Sequence, residues 1–178
     1  MKKLVLNLDI CSACPQCVVG CSYYYHPSNR GIDRLRELAA YALVCRRCEY
    51  GTCVQACPVE ALERDARGVL ERHQMRCIGC RSCAHACPFG TIYAELLPYQ
   101  LSGCDLCFDR AVSEPPLCVR SCPYGALDWR EADGIPGEAV PLLDGRIAVI
   151  SHQWARETVQ GSRLKVESPK IHARDGQE

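Results

Sequence analysis

The sequence predicts an α+β fold in which duplicated βαβ repeats are built around bound metal, followed by a C-terminal extension. The 178 residues include 16 cysteines, and all of them fall into four sets of four. A segment that begins with Cys-Pro occurs three times, which indicates an internal repeat. Leu, Ile, Val and Phe together number only 40, so metal–thiolate bonds are expected to replace part of the apolar core.

Charge and hydropathy exclude two classes of protein. The 21 basic and 21 acidic residues balance, without the basic excess that is typical of nucleic-acid binders. The longest uncharged apolar stretch, 39–45, is far shorter than the ~20 residues that cross a bilayer. Asn7 and Asp9 interrupt the first apolar run, unlike a secretory signal. We therefore expect a cytoplasmic protein with no membrane span and no nucleic-acid partner.

The spacing of the cysteines indicates which metal they bind. The sets are Cys11-x2-Cys14-x2-Cys17-x3-Cys21, Cys45-x2-Cys48-x4-Cys53-x3-Cys57, Cys77-x2-Cys80-x2-Cys83-x3-Cys87 and Cys104-x2-Cys107-x10-Cys118-x3-Cys122. The first and third match the runs that bind [4Fe–4S] clusters in bacterial ferredoxins. A zinc-binding scaffold is the alternative from a different class. The crowded first and third sets fit it less well, because zinc usually takes its ligands as two separated pairs. Disulfides are disfavoured in a reducing cytosol.

The repeated segment is Cys-Pro-x-x-[Ala/Thr]-[Leu/Ile], found at 57–62, 87–92 and 122–127. The three residues before its cysteine are expected to begin a helix, and proline suits a chain that leaves the helix. The first set ends in Cys21-Ser22 instead, which predicts that its helix continues.

Two further elements follow from hydrophobic periodicity. Leu4, Leu6 and Leu8 alternate as in a strand, and apolar residues at helical spacing predict a helix within 32–44. Residues 131–178 form a predicted linker and C-terminal arm for subunit contact, with a strand at 146–150 and Trp154 as a candidate anchor. An arm folded back on its own domain is the alternative.

Across residues 3–130 these motifs resemble those of the four-cluster ferredoxin-type iron–sulfur subunits of molybdenum and tungsten oxidoreductases. This family includes the electron-transfer subunits of the aldehyde oxidoreductase, formate dehydrogenase and dimethyl sulfoxide reductase types. The resemblance implies duplicated bacterial-ferredoxin-like repeats over residues 1–130, built around four [4Fe–4S] clusters, with no catalytic residues in the chain itself.

The resemblance also implies that ligands are shared between sets, so that the first and last sets meet in space. By it, the four ligand groups are Cys11, Cys14, Cys17 and Cys122; Cys45, Cys48, Cys53 and Cys87; Cys77, Cys80, Cys83 and Cys57; and Cys104, Cys107, Cys118 and Cys21.

The expected function is one-electron relay between a catalytic subunit, with a tungsten or molybdenum cofactor, and an acceptor. The acceptor is a flavin- or NAD-linked subunit or a ferredoxin, and further copies of the chain are possible partners. A hydrogenase or carbon-monoxide dehydrogenase partner and a free polyferredoxin are the alternatives. Arg46 and Arg47 flank the second set and Arg76 and Arg81 flank the third, so local charge is expected to favour the reduced state of these clusters. Asp105 and Asp109 flank the fourth set and are expected to disfavour its reduced state.

Overall fold

The computed structural model describes residues 2–22, 31–94, 104–107, 114–143 and 145–152. Helices and strands both occur, which confirms the mixed α and β class. The chain divides into two compact units, the first formed by residues 1–22 and 106–178 and the second by 23–105. Within the ranges given above, no helix has the length and hydropathy needed to cross a bilayer.

The first unit is organised by a four-stranded sheet of β1 (Lys2–Asn7), β4 (Leu127–Glu131), β5 (Val140–Leu142) and β6 (Ile147–Ile150). The order of the strands in the sheet is β4-β1-β6-β5. Strand β1 pairs antiparallel with β4 and parallel with β6, and β5 pairs antiparallel with β6. The strands predicted near the N-terminus and at 146–150 are therefore present as β1 and β6.

Strand β1 is buried on both faces. Leu4, Val5 and Leu6 are each at most 3% exposed, although the alternation of Leu4, Leu6 and Leu8 suggests a single buried face. Side chains on both faces of β1 are therefore covered, so the strand is buried more completely than its alternation predicts. Leu8 does not continue the strand and begins helix α1 (Leu8–Ala13).

Helix α1 begins at a side-chain cap and ends before a proline. The side chain of Asn7 accepts a hydrogen bond of 3.2 Å from the Ile10 N–H. Cys14 is extended (φ −66°, ψ 130°), as expected for a residue that precedes proline, here Pro15. Residues 14–22 contain no helix. The prediction of a helix continuing past Cys21 is therefore wrong, because in this set the helix comes before the last three cysteines.

The second unit contains short helices and one hairpin. Helix α2 (Gly31–Ala39) continues as a π-helical segment (Ala40–Val44), which confirms the helix predicted within 32–44. Helices α3 (Thr52–Gln55) and α4 (Ser82–Ala86) flank the hairpin of β2 (Leu62–Arg64) and β3 (Leu70–Arg72). A further short helix, α5 (Leu117–Arg120), belongs to the first unit.

Cysteines form part of the core of the second unit. Tyr41, Leu62, Leu70 and Ile92 are buried in one cluster together with two cysteines. Five of the twelve residues in or against this cluster are cysteines: Cys53, Cys83, Cys45, Cys57 and Cys87. The apolar side chains of this unit therefore pack around sulfur atoms instead of forming a separate aliphatic core.

Part of the predicted C-terminal extension lies in the first sheet. Strands β5 and β6 fall within 131–178, and β6 pairs with β1. Trp154, the candidate anchor, and Asp109, one of the charges expected near the fourth set, lie outside the described residues.

Candidate metal centres

Three of the four cysteine sets place their third cysteine on a short helix. Cys53 lies on α3, Cys83 on α4 and Cys118 on α5. In two of the sets a residue with positive φ precedes the helix, Gly51 at 54° and Arg81 at 63°. In these two sets the backbone is therefore left-handed at one residue between the second and third cysteines.

The three Cys-Pro segments fold into the same turn. The third residue after each cysteine has positive φ: 49° at Glu60, 61° at Gly90 and 64° at Gly125. In each turn this residue donates its N–H to the carbonyl of the cysteine at 3.3 Å. Glycine adopts this backbone conformation without strain, and two of the three positions are glycine. The sequence repeat is thus also a structural repeat.

The second and third sets interleave. Burial raises the pKa of the Cys53 thiol, and nearby charge at Cys45, Cys48 and Cys87 raises it further. Three of these four cysteines come from the second set, whereas Cys87 is the last residue of the third. The thiol of Cys53 therefore interacts with cysteines of both sets.

The complementary group is formed around Cys83. Burial raises the pKa of this thiol to about 11, and charge at Cys77, Cys53 and Cys57 contributes in the same direction. One pocket in the second unit is lined by Cys57, Cys77, Cys80 and Cys83. Cys57, the last cysteine of the second set, thus faces the same space as three cysteines of the third.

Several cysteine sulfur atoms lie close to hydrogen-bond donors. The Ala61 N–H donates to Cys57 Sγ at 3.2 Å, and the Thr91 hydroxyl lies 3.4 Å from Cys87 Sγ. Burial alone would raise the pKa of Cys87, but hydrogen bonds from the side chain and backbone of Thr91 help to hold it below its usual range. Such donors stabilise negative charge on sulfur.

Two arginines of the hairpin lie near cysteines. Arg64 Nη2 lies 3.8 Å from Cys48 Sγ and donates to the Cys48 carbonyl. Arg72 lines the same pocket as Cys77. A cation this close to a ligand sulfur favours a more negative cluster.

Sequence reasoning missed both arginines, since it considered only charges adjacent to the cysteines. Of those, Arg46, Arg76 and Arg81 are exposed. The signal was present in the repeated Leu-Glu-Arg of 62–64 and 70–72. Alternation in a strand places Leu and Arg on one face and Glu on the other.

The first and fourth sets meet within the first unit. The Gly20 N–H donates to the Ser121 hydroxyl at 2.9 Å. Cys21 and Cys122 each follow one of these two residues, and Cys122 is buried. The Asn7 N–H donates to the Ala126 carbonyl at 2.8 Å, which joins the segment just before α1 to the segment just after Cys122. Cys104 belongs to the second unit.

Four cysteines line one pocket of the second unit, and thiolates are the ligands of iron–sulfur clusters. Across the described ranges, no three or more Cys, His, Asp or Glu side chains are gathered as a site for a single metal ion. In a [4Fe–4S] cluster each thiolate binds a different iron atom. The pocket that four cysteines line fits this donor set.

Comparison with known proteins identifies the cofactor. The model of the 4Fe–4S dicluster domain matches residues 37–132, more than half of the chain, and a 4Fe–4S binding domain matches 8–24. The chain belongs to the 4Fe–4S dicluster domain family. Its cofactors are [4Fe–4S] clusters, and 16 cysteines are the number that four such clusters require. The zinc alternative is thereby set aside.

Two of the similar proteins are named for electron transport or electron transfer. The chain is 32% identical over 146 residues to YsaA of Escherichia coli (strain K12), whose name assigns it provisionally to electron transport; the match covers 74% of this chain and 91% of YsaA. It is 32% identical over 139 residues to the thiosulfate reductase electron transfer subunit PhsB of Salmonella typhi, covering 69% of this chain and 72% of PhsB. It is 29% identical over 143 residues to the B subunit of the anaerobic dimethyl sulfoxide reductase of Escherichia coli (strain K12), covering 69% of this chain and 70% of that subunit. The expectation of a non-catalytic electron-transfer protein is confirmed.

Proposed function

We propose that this chain is the electron-transfer subunit of an oxidoreductase whose catalytic subunit holds molybdenum or tungsten. The observation that carries this proposal is the combination of 16 cysteines with similarity to subunits named for thiosulfate and dimethyl sulfoxide reductases. Electrons pass to a flavin- or NAD-linked subunit or a ferredoxin as acceptor. We also propose that the protein is located in the cytoplasm and that it associates with further copies of itself.

The proposed ligand groups are those that the family resemblance implies. The interaction of Cys53 with Cys87 and the pocket shared by Cys57 with the third set support the two groups of the second unit. The contact between Gly20 and Ser121 supports sharing between the first and last sets. The four groups are Cys45, Cys48, Cys53 and Cys87; Cys57, Cys77, Cys80 and Cys83; Cys11, Cys14, Cys17 and Cys122; and Cys21, Cys104, Cys107 and Cys118.

The chain's own residues hold and tune these centres. When bound, a [4Fe–4S] cluster takes up and releases one electron. The thiolates fix each centre, while Ala61, Thr91, Arg64 and Arg72 place positive or hydrogen-bonding groups near the sulfur atoms. Buried side chains, among them Tyr41, limit access of water in the second unit. These three contributions are how a protein sets a cluster's potential.

The proposed domain organisation follows the repeats. A four-cluster domain covers residues 1–130 and contains duplicated ferredoxin-like βαβ units, and 131–178 serve as linker and arm. The shared turn at Glu60, Gly90 and Gly125 supports duplication.

Metal analysis of the native complex tests the proposed function. The complex would be isolated anaerobically through this chain, and its metals would be quantified per chain. We expect about 16 iron atoms per chain beyond those of its partners, four from each [4Fe–4S] cluster, together with molybdenum or tungsten. Nickel would point to the hydrogenase or carbon-monoxide dehydrogenase alternative. Iron without any partner chain would indicate a free polyferredoxin.

Serine variants test the ligand groups. Because Cys57 and Cys83 belong to one proposed group, Cys57→Ser and Cys83→Ser should remove the same electron paramagnetic resonance (EPR) signal, and the double variant should lose no more. Cys87→Ser should remove a different signal. If Cys57→Ser and Cys53→Ser instead remove one signal in common, ligands are not shared between the sets.

A further inference from the structure

Glu37 and Arg72 form a fully buried ion pair in the second unit. Their side chains are 1% and 3% exposed. Arg72 Nη2 donates to Glu37 Oε2 at 2.9 Å, and Arg72 Nε donates to Oε1, so the pair is bidentate. Glu37 also accepts hydrogen bonds from Arg34 Nη1 at 2.6 Å and from the Tyr41 hydroxyl at 3.1 Å. The Glu37 carboxylate therefore accepts four hydrogen bonds.

The other side of Arg72 faces a metal centre. Arg72 lines the pocket that is also lined by Cys57, Cys77, Cys80 and Cys83. Arginine stays protonated at any ordinary pH, so Arg72 keeps a fixed positive charge in its pair with Glu37. One guanidinium therefore pairs with a carboxylate and borders a pocket that cysteines line.

Stability alone does not explain this arrangement. Replacing a buried ion pair with apolar residues of similar volume is often neutral or stabilising, because both charges lose their hydration. The unit could bury apolar side chains here, as it does at Leu62 and Leu70 on the same hairpin. A fixed charge next to a redox centre has an effect that an apolar residue cannot have.

We propose that Arg72 raises the reduction potential of the cluster bound by Cys57, Cys77, Cys80 and Cys83, and that Glu37 is a positioning residue that also limits this effect. Reduction adds one negative charge to the cluster, and a cation that borders its pocket stabilises the reduced form. Glu37 holds the guanidinium in place while its own charge opposes that of Arg72. The inference rests on the proposed ligand group.

The two members of the pair therefore have opposite electrostatic effects. Arg72→Gln removes the cation and leaves Glu37 charged, so the reduced cluster is destabilised. Glu37→Gln leaves the cation without its counter-charge, so the reduced cluster is stabilised. Arg72→Lys keeps the charge and loses the bidentate geometry. A residue that matters only for packing would not produce shifts of opposite sign.

EPR-monitored redox titration of the anaerobic holoprotein tests this inference. For this one cluster, we expect Arg72→Gln to change the reduction equilibrium about tenfold towards the oxidised form, about 59 mV for one electron. Glu37→Gln should shift it in the other direction, and Arg72→Lys should stay nearer the wild type. The matched control is Arg67→Gln, since the Arg67 side chain is 71% exposed and pairs with Asp65; it should move no potential.

The outcomes separate this inference from the proposed ligand group. Unchanged potentials in both variants, or shifts of the same sign, overturn the inference while the ligand group stands. A Cys77→Ser protein that keeps all four EPR signals overturns the ligand group and the inference with it. If the Arg72→Gln protein does not assemble, Glu37→Gln becomes the test. A shift of its reduction equilibrium towards the reduced form supports the inference, and no shift or the opposite shift overturns it.

Discussion

Arg64 lies with its guanidinium 3.8 Å from the sulfur of Cys48, on the same hairpin that carries Arg72. In the hairpin register Arg64 pairs with Leu70 and Arg72 pairs with Leu62. Directly paired residues of an antiparallel hairpin lie on the same face, so both arginines face the apolar side. One short hairpin thereby supplies one cation to each proposed ligand group in the second unit.

Replacing Arg64 with Gln should lower the potential of the cluster that Cys48 helps to bind. The cation is partly exposed, so solvent screens it and the shift should be smaller than for a buried charge. We expect a change of a few-fold in the reduction equilibrium, on the order of 30 mV. Redox titration of the holoprotein measures it. Arg76→Gln, an exposed arginine next to Cys77, serves as the control; a larger shift there would favour the simple charge-adjacency expectation.

The sequence predicted the metal chemistry well because iron–sulfur ligation constrains spacing. Sixteen cysteines in sets of four lead to four clusters, and the three Cys-Pro segments fold into one repeated turn. The helix within 32–44 and strand β1 follow from simple periodicity, and β6 corresponds to a short apolar run. These features depend on local sequence alone.

Other features depend on contacts that no local pattern records. The two arginines lie near cysteines that are 16 and 5 residues away in the chain, through the geometry of the hairpin. The ion pair of Glu37 and Arg72 joins residues 35 apart. The helix of the first set precedes Pro15 instead of following Cys17, since proline disfavours the helical conformation at Cys14. Nothing in the spacing of the cysteines determines these arrangements.

Removing the Thr91 hydroxyl should lower the potential of the cluster that Cys87 helps to bind. Of the three Cys-Pro turns, only this one has Thr where the others have Ala61 and Ala126. A hydrogen bond of about 1 kcal/mol that is stronger in the reduced state corresponds to at most about 40 mV. Thr91→Val should therefore lower the potential by up to this amount, whereas Thr91→Ser, which keeps the hydroxyl, should have a potential close to that of the wild type. Equal shifts in both variants would show that shape, not the hydroxyl, matters.

Removal of iron should affect the two units differently. Five of the twelve residues of the core cluster in the second unit are cysteines, whereas the first unit has an aliphatic sheet core that includes Leu4, Leu6, Leu127 and Ile147. Once iron is removed, the cysteines no longer join the segments of this unit through shared metal, so the second core loses its centre. We expect anaerobic chelation to speed amide exchange in 52–92 much more than in β1, measured by hydrogen–deuterium exchange. Uniform loss of protection would mean that both units depend equally on metal.

Asp9 should anchor the segment that follows β6 to helix α1. Its buried carboxylate accepts a hydrogen bond from the Ser151 hydroxyl and another from the His152 N–H, both at 2.6 Å. In Asp9→Asn the amide N–H₂ group faces at least one of these donors and cannot accept its hydrogen bond. The buried donor is then unsatisfied, which costs about 1–3 kcal/mol. Exchange at 147–152 should therefore accelerate, with iron content unchanged.

Ser151→Ala is the matched variant, since it removes one hydrogen bond and leaves the backbone contact of His152 intact. Its exchange should lie between that of the wild type and Asp9→Asn. If Asp9→Asn leaves exchange at 147–152 unchanged in the isolated protein, pairing of β6 with β1 and β5 is sufficient to hold this segment, and the contact with α1 contributes little. If exchange accelerates in the isolated protein but not in the native complex, a partner subunit covers the same segment, as expected for an arm that contacts its partner.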